Sequence, residues 1–197
     1  DRSPSRGLGD VYKRQIRYLH HLGEVTYFSP LADTSLPDAG FVYLPGGYPE
    51  LYLAALSANR QMLQSIRRYV ESGGKLLAEC GGMMYLCDEI RDKNGYVYPM
   101  AGVLHQSATM ENMKLRLGYR TLLYNETRLK GHEFHYSRLV EQQNPLPSCA
   151  VAYTAKGVET DTPLYHYKNV WAGYTHLYWA DPVGNEWFTK FVIDGNT

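Results

Sequence analysis

The chain has 197 residues, of which 44% are hydrophobic and 20% charged, and its formal net charge at pH 7 is zero. This composition is typical of one globular domain with a sizeable core, and the balanced charge disfavours nucleic acid or an anionic membrane as a partner. No apolar run approaches the length of a bilayer span. The three cysteines show no paired spacing, which disfavours a disulfide framework and favours the reducing cytoplasm.

The N-terminal segment differs from the rest of the sequence. Residues 1–15 lack apolar periodicity until their last few positions and resemble a translated sequencing adapter joined to an incomplete reading frame. We therefore expect residues 1–15 to be a non-native scar, with a natural disordered N-terminus as the alternative. The domain itself is expected over residues 16–197, where Ile16, Leu19 and Leu22 begin a helical stripe that ends at Gly23.

The first part of the domain alternates strands with helices, followed by one more strand and helix near the C-terminus. The patterns predict strands over 25–28, 41–44, 75–79 and 170–174, and helices over 50–58, 59–70 and 184–193, with a further helix after residue 80. Such alternation predicts an α/β fold, with a mostly parallel sheet covered by helices on both faces. Ligands of these sheets bind beyond the carboxyl ends of the strands.

The region after Asp92 changes character. Short alternating segments, separated by turn residues, lie at 96–100, 116–124, 131–139 and 149–154. They predict antiparallel strands or hairpins that extend one edge of the parallel sheet. Since the sequence shows neither an internal repeat nor a low-complexity linker, we expect one domain.

The most informative motif is Ala-Glu-Cys-Gly-Gly-Met-Met-Tyr-Leu at 78–86, directly after a short apolar strand. A cysteine at this strand-to-helix bend is expected to expose its sulfur toward backbone N–H groups and the positive end of a helix dipole. These groups favour a thiolate and can hold the oxyanion formed when it attacks a carbonyl. The motif predicts Cys80 as a nucleophile; a buried core cysteine is the alternative.

A cysteine that attacks an amide needs a general base, and the sequence offers seven histidines. His176 follows the last core strand, so we expect it at the same edge of the sheet as Cys80. His132 and His135 lie three apart on a predicted strand, on opposite faces, which disfavours a shared metal site. We expect instead that they help to bind substrate or support the site, or that they are structural.

The motif Leu-Pro-Gly-Gly-Tyr-Pro-Glu at 44–50 lacks the Gly-Lys-Ser/Thr of a phosphate-binding loop. Gly46 and Gly47 are better explained as a turn that places a free N–H toward the sulfur, as a second oxyanion donor.

Together these motifs, with Gly-His-Glu-Phe-His-Tyr-Ser at 131–137 and Tyr-Thr-His at 174–176, resemble the C-terminal glutamine amidotransferase domains of cobyrinic acid a,c-diamide synthases. The resemblance covers nearly everything from Ile16 onward. It implies a flavodoxin-like class I amidotransferase fold and a glutamine-hydrolysing domain of a carbon–nitrogen ligase in cobalamin biosynthesis.

By this resemblance Cys80 forms a glutamyl thioester and His176 is its base and acid. Gly47 and Gly81 supply oxyanion N–H groups, and His135 belongs with Gly46 to the substrate-binding residues. No cofactor is expected in this chain. ATP and magnesium are expected on an N-terminal synthetase domain that this chain lacks, which binds the corrinoid and amidates it with the ammonia.

Two departures from the family pattern stand out. Many class I amidotransferases have a glutamate two residues after the histidine, but Tyr178 occupies that position here. We therefore expect a Cys–His dyad, with Glu79 and Glu133 as candidates for the group that orients His176. The first strand of the sheet is also expected to be missing, which puts the activity of the isolated chain in doubt.

The residues leave the amide acceptor open. A nickel tetrapyrrole, cobyric acid or a cell-wall precursor are alternatives to cobyrinate, because the acceptor is bound outside this domain. A non-catalytic interaction module on the same fold is the alternative from another functional class.

Overall fold

The computed structural model describes residues 4–195. Its helices are α1 (Pro4–Leu22), α2 (Leu53–Ala58), α3 (Arg60–Glu71), α4 (Gly81–Leu86) and α5 (Pro182–Trp187), with a 3₁₀ turn at Pro49–Leu51 and a π-helical segment at Phe188–Ile193. Its strands are β1 (Phe41–Leu44), β2 (Lys75–Glu79), β3 (Glu89–Arg91), β4 (Val97–Pro99), β5 (Ser107–Thr109), β6 (Arg116–Tyr124), β7 (Thr127–His135), β8 (Arg138–Leu139), β9 (Val151–Thr154), β10 (Glu159–Thr160), β11 (Leu164–Tyr167), β12 (Val170–Gly173) and β13 (His176–Leu177).

The central sheet has the strand order β1-β2-β12-β11. Strands β1, β2 and β12 are parallel, and β11 is antiparallel to β12. The register pairs Leu44 with Ala78 and Glu79 with Gly173, so these three strands end at one edge of the sheet. The predicted parallel strands over 41–44, 75–79 and 170–174 are confirmed.

Helices cover both faces of this sheet because its strands are apolar on both sides. Leu76 and Ala78 pack with the buried face of α3, whose N-terminus is capped by Asn59: its side-chain oxygen accepts a hydrogen bond from the Met62 N–H at 3.3 Å. Leu77, on the other side of β2, packs in a second core with α1, α5 and the π-helical segment. The predicted α/β architecture with two covered faces is confirmed.

The antiparallel strands are arranged differently from the expectation. The segments predicted at 96–100, 116–124, 131–139 and 149–154 contribute to two further sheets, ordered β10-β9-β6-β7-β13 and β4-β3-β5-β8, while the antiparallel strand that extends the edge of the parallel sheet is β11. The five-stranded sheet contributes Leu122, Leu129 and Ala152 to the same core as Leu77 and Trp171. Packing across a face buries this apolar surface, which pairing along an edge would leave in water.

Two local predictions are wrong. Residues 25–28 are not a strand, and no described strand lies beside them to accept their backbone hydrogen bonds; the side chain of Tyr27 is 68% exposed. The single helix expected over 50–58 is divided at Tyr52 into the 3₁₀ turn and α2.

Helix α1 ends at Leu22, as the stripe from Ile16 predicts, but it begins at Pro4. Residues 4–15, within the expected scar, are therefore helical, and residues 1–3 lie outside the described residues. That this segment is non-native stays a prediction. In the described part of the chain, no helix has both the length and the hydropathy to cross a bilayer.

Candidate active site

Cys80 occupies a sharp bend between β2 and α4, as the sequence predicts. Its N–H donates to the Gly173 carbonyl at 2.8 Å, and its own carbonyl accepts from the Met84 N–H at 3.0 Å. Between these bonds its backbone turns with φ 51° and ψ −111°, in the left-handed half of the map. Such a conformation costs a non-glycine residue about 1–3 kcal/mol, and it is found mostly at functional sites.

The glycines after the cysteine allow the bend to lie directly on the turn that follows β1. A Cβ on Gly81 would lie 2.6 Å from the Gly47 carbonyl oxygen, and one on Gly82 would collide with that of Leu44. The two motifs at the ends of β1 and β2 therefore form one continuous surface.

The expectation of an exposed thiolate is wrong for this conformation. Cys80 is only 5% exposed, and its thiol donates a weak hydrogen bond to the Phe134 carbonyl at 3.7 Å. Burial is the main cause that raises the pKa of Cys80 to about 12; the charges of Glu50, Glu79 and Glu133 contribute, and the N–H of Gly81 opposes the shift. The positive end of one short helix dipole lowers the pKa of the thiol by less than burial and three nearby carboxylates raise it.

The sulfur nevertheless borders a cleft. Its lining is largely aromatic and polar, and consists of Gly47, Tyr48, Glu50, Cys80, Met84, Phe134, His135, Tyr136 and Ser137. The structure thus brings the predicted Gly47, Cys80 and His135 together. Glu50 was missed: it ends the motif at 44–50, but no functional role was expected for it. Burial raises the pKa of its carboxyl.

His176 lies on the other side of the same turn. It begins β13, which pairs with β7 so that His176 is opposite His132. A Cβ on Gly46 would collide with Cε1 of the His176 ring and lie 3.0 Å from its Nε2. Because Gly46 touches His176 and Gly47 touches the cysteine bend, the expected base and nucleophile lie at one edge of the sheet. Gly46 acts here as a close-packing position beside the cleft.

The His176 imidazole is neutral in this environment. Burial, together with the nearby His132 and His135, lowers the pKa of His176 to about 4. The His132 ring stacks on it, with centroids 5.0 Å apart and an interplanar angle of 11°. Tyr178, at the position expected to hold a glutamate, contacts His132 Nδ1 through its hydroxyl at 3.2 Å.

His135 and His132 project to opposite faces of β7, as predicted. His135 Nδ1 contacts the Ser137 carbonyl at 2.9 Å, and its ring stacks on Tyr174 with centroids 3.7 Å apart. Its buried Nε2 has no hydrogen-bond partner and lies 3.9 Å from Glu133, which is paired with Arg120 at 2.8 Å. Residues 4–195 contain no cluster of three or more side chains suited to a metal ion.

The turn after β1 does not fit a nucleotide phosphate. A phosphate loop needs open backbone N–H groups, whereas the His176 ring already lies against Gly46 and the Gly47 carbonyl against Gly81.

Comparison with known proteins agrees with this geometry. The CobB/CobQ-like glutamine amidotransferase domain family matches residues 10–183. The chain belongs to this family. Glutamine amidotransferase domains generate ammonia from glutamine, so the predicted enzyme class is confirmed.

Similar relatives are named cobyrinate or hydrogenobyrinate a,c-diamide synthases. The chain is 37% identical to the cobyrinate a,c-diamide synthase of Fusobacterium nucleatum, over 88% of this chain and 40% of that protein. It is 38% identical to the hydrogenobyrinate a,c-diamide synthase of Pseudomonas aeruginosa, over 85% and 38%. The Clostridium acetobutylicum cobyrinate a,c-diamide synthase is 36% identical, over 92% and 42%.

The amidotransferase chain thus spans about two fifths of the length of these relatives. A solved structure described as a glutamine amidotransferase is also similar, with a TM-score of 0.54 and 19% identity, covering 78% of this chain and 79% of that one. At that identity the likeness supports the fold alone, and the predicted amidotransferase fold is confirmed.

Proposed function

We propose that this domain hydrolyses glutamine at Cys80 and supplies the ammonia for ATP-dependent amidation of the a- and c-carboxylates of a corrin ring. The observation that carries the proposal is the strained Cys80 bend, which borders a cleft and shares one turn with the neutral imidazole of His176. The corrin acceptor rests on the names of the relatives.

The chemistry follows from these two groups. His176 takes the Cys80 thiol proton as the sulfur attacks the side-chain amide carbon of glutamine, and the Gly47 and Gly81 N–H groups hold the oxyanion. His176 then protonates the leaving ammonia, which departs and leaves a glutamyl thioester. With His176 again as base, water attacks the thioester, releases glutamate and restores the thiol.

Activation has to accompany substrate binding, since the ligand-free site holds a thiol and a neutral imidazole. A bound glutamine ammonium would neutralise part of the negative field of Glu50, one of the three carboxylates that disfavour the thiolate. Glu50 is the one acidic side chain in the cleft lining, and we assign it to the α-ammonium of glutamine. His135 also lines the cleft, and we assign it to the binding of the same substrate.

The acceptor side is proposed to lie in the rest of a larger synthetase, with ATP and magnesium bound there. Apolar side chains around the cleft mouth suit such a domain contact. Tyr48 and Tyr136, which line the cleft, are 54% and 41% exposed, and Leu117, opposite Phe134 on the neighbouring strand, is 54% exposed. The cytoplasm, where corrinoid, ATP and glutamine meet, is the proposed location.

A non-catalytic module is the second candidate, and the buried, protonated thiol is the observation that favours it. Labelling with a glutamine-mimicking diazo ketone separates the two. The enzyme proposal expects alkylation of Cys80 alone, abolished in Cys80→Ser and retained in Cys149→Ser. Inert Cys80 beside a reactive Cys149 would support the module.

The acceptor needs its own test. The complete synthetase, with ATP, magnesium and glutamine, should amidate cobyrinate at two carboxylates. Product that forms with free ammonia but not with glutamine in Cys80→Ser would assign ammonia supply to this domain. Amidation of a nickel tetrapyrrole in place of cobyrinate would overturn the corrin assignment.

A further inference from the structure

A fully buried carboxylate lies behind His176. The Glu79 side chain extends from the last residue of β2 and is 1% exposed. The Tyr43 hydroxyl donates to its Oε2 at 2.7 Å, and the Leu177 N–H donates to its Oε1 at 3.0 Å. Oε2 also lies 3.9 Å from Nδ1 of His176. One carboxylate therefore contacts both the ring of the expected base and the backbone of the next residue.

Helix α1 secures the same backbone from its other side. The Gln15 Nε2 donates to the Leu177 carbonyl at 2.6 Å, and its Oε1 lies 3.2 Å from the Tyr43 hydroxyl. Leu177 is thus held at its N–H by Glu79 and at its carbonyl by Gln15. Such closed networks fix the orientation of the group they surround.

We propose that Glu79 is the positioning residue for His176, taking the place of the glutamate that Tyr178 replaces in the sequence. The ionised carboxylate accepts the Nδ1–H of His176 and leaves Nε2 as the base toward the cysteine. The 3.9 Å separation closes when the substrate orders the site, since hydrogen bonds in ligand-free active sites are often long. This inference rests on the proposed glutamine hydrolysis.

Glu133, the other candidate, has different partners. Its carboxylate is paired with Arg120 at 2.8 Å, accepts a long hydrogen bond from Thr175 at 3.4 Å and faces His135. Glu133 therefore supports the opposite side of the cleft, and Glu133→Gln is a matched control for a buried carboxylate that does not contact the base.

The titratable groups around Glu79 are few. They are Tyr43 from β1, Cys80 next to it on the chain and His176 from β13, with the Trp179 indole stacked edge-on against Tyr43. None of them is cationic at neutral pH. Burial therefore raises the pKa of Glu79 to about 7, although hydrogen bonds from Tyr43 and Leu177 oppose the shift. The carboxyl ionises near neutrality, which makes the positioning of His176 pH-dependent.

The test is the pH profile of kcat for glutamine hydrolysis. The wild type should lose activity as the pH falls through about 7. Glu79→Gln should lower kcat at pH 8 by roughly 10- to 100-fold, with KM little changed. It should also abolish the acidic limb of the profile, which is the loss of activity as the pH falls. Tyr43→Phe removes a hydrogen bond to the charged carboxylate and should move the limb to higher pH. If Glu79 were merely structural, Glu79→Gln could lower kcat but would not remove the pH dependence, and Tyr43→Phe would not shift it.

Either of two results overturns the proposal. One is a pH profile of kcat in Glu79→Gln equal to that of the wild type. The other is an acidic limb that stays at the same pH in Tyr43→Phe. If Glu79→Gln does not fold, the Tyr43→Phe shift decides alone. If the domain needs its synthetase for turnover, ¹⁵N NMR decides: the Nδ1 shift of His176 should change near pH 7 in the wild type and stay constant in Glu79→Gln. A constant wild-type shift overturns the inference.

The proposed function and this inference fail in different ways. Loss of Cys80-specific diazo-ketone labelling in the wild type would remove the glutaminase proposal. Wild-type labelling together with an unchanged Glu79→Gln profile would remove only the role of Glu79.

Discussion

The imidazoles of His132 and His176 stack nearly parallel across β7 and β13, with ring centroids 5.0 Å apart. Two imidazoles this close cannot both be protonated without strong repulsion. Burial lowers the pKa of His132 to about 4, and burial together with His132 and His135 lowers the pKa of His176 to about 4. The stack therefore keeps His176 a free base at neutral pH, which is the form that proton abstraction requires.

Replacing His132 by phenylalanine should raise the pKa of His176, because the ring contact is kept while one titrating neighbour is removed. NMR titration of the imidazole measures the change. Tyr178→Phe, which leaves both rings in place, is the control and should alter the His176 pKa less. A His176 pKa that does not move would show that burial alone sets it.

Alkylation of Cys80 by iodoacetamide without glutamine should be slow at pH 7 and should still rise between pH 9 and 10. A free thiol has a pKa near about 8.5 and levels off there, but the pKa of Cys80 is raised to about 12 by burial and three carboxylates. Mass spectrometry of the Cys80 peptide measures the rate. A plateau below pH 8 would mean that the resting site already holds a thiolate.

Glu50→Gln should raise KM for glutamine by roughly 10- to 100-fold, since a charge-assisted hydrogen bond to the α-ammonium is lost. The matched substrate is glutaramate, which has the same amide but lacks the amino group. Its KM should be little affected by the substitution. An equal rise for both substrates would place Glu50 in the general shape of the cleft.

Gly46→Ala should lower kcat by about 100-fold, because the new Cβ collides with the His176 ring and displaces the proposed base from its place beside the turn. Gly40→Ala is the control, since a Cβ there meets nothing within 4 Å. Circular dichroism should show both variants folded. Full activity in Gly46→Ala would mean that the imidazole does not need this close approach.

Glu79 should also affect stability in a pH-dependent way. Its folded pKa is raised from 4.5 to about 7, so the folded state binds the proton more tightly than the unfolded state. The associated stability is complete below pH 4.5 and is lost as the pH rises to 7, by about 3 kcal/mol. Urea unfolding of the wild type against Glu79→Gln at pH 4.5 and 7.5 measures the difference. A gap independent of pH would contradict the shifted pKa.

Local patterns in the sequence were sufficient for several elements of the site. The apolar run before Cys80 and the glycines after it specify a strand, a bend and a helix through neighbouring residues alone. The same holds for β1 with its Pro-Gly-Gly turn, and for α3, where the stripe from Met62 to Val70 and the Asn59 cap are local features. Once the two strands are parallel, their ends must share an edge.

The surroundings of Cys80 and His176 are determined by the tertiary structure and could not be predicted from local sequence patterns. Residues 25–28 have the composition of a strand, but within residues 4–195 no strand pairs with them. Strands β6, β7 and β9 bury apolar side chains in the core on one face of the parallel sheet. Burial keeps Cys80 protonated, together with its neighbour Glu79 and with Glu50 and Glu133 from segments distant in the sequence. Adjacent residues in the sequence indicate where a helix or strand forms. The burial and electrostatic potential at a side chain depend in addition on residues that are far away in the sequence, and so require the fold. The sequence therefore predicted Cys80 as the nucleophile and His176 as its base, while folding determined their charge states and set Glu79 behind His176.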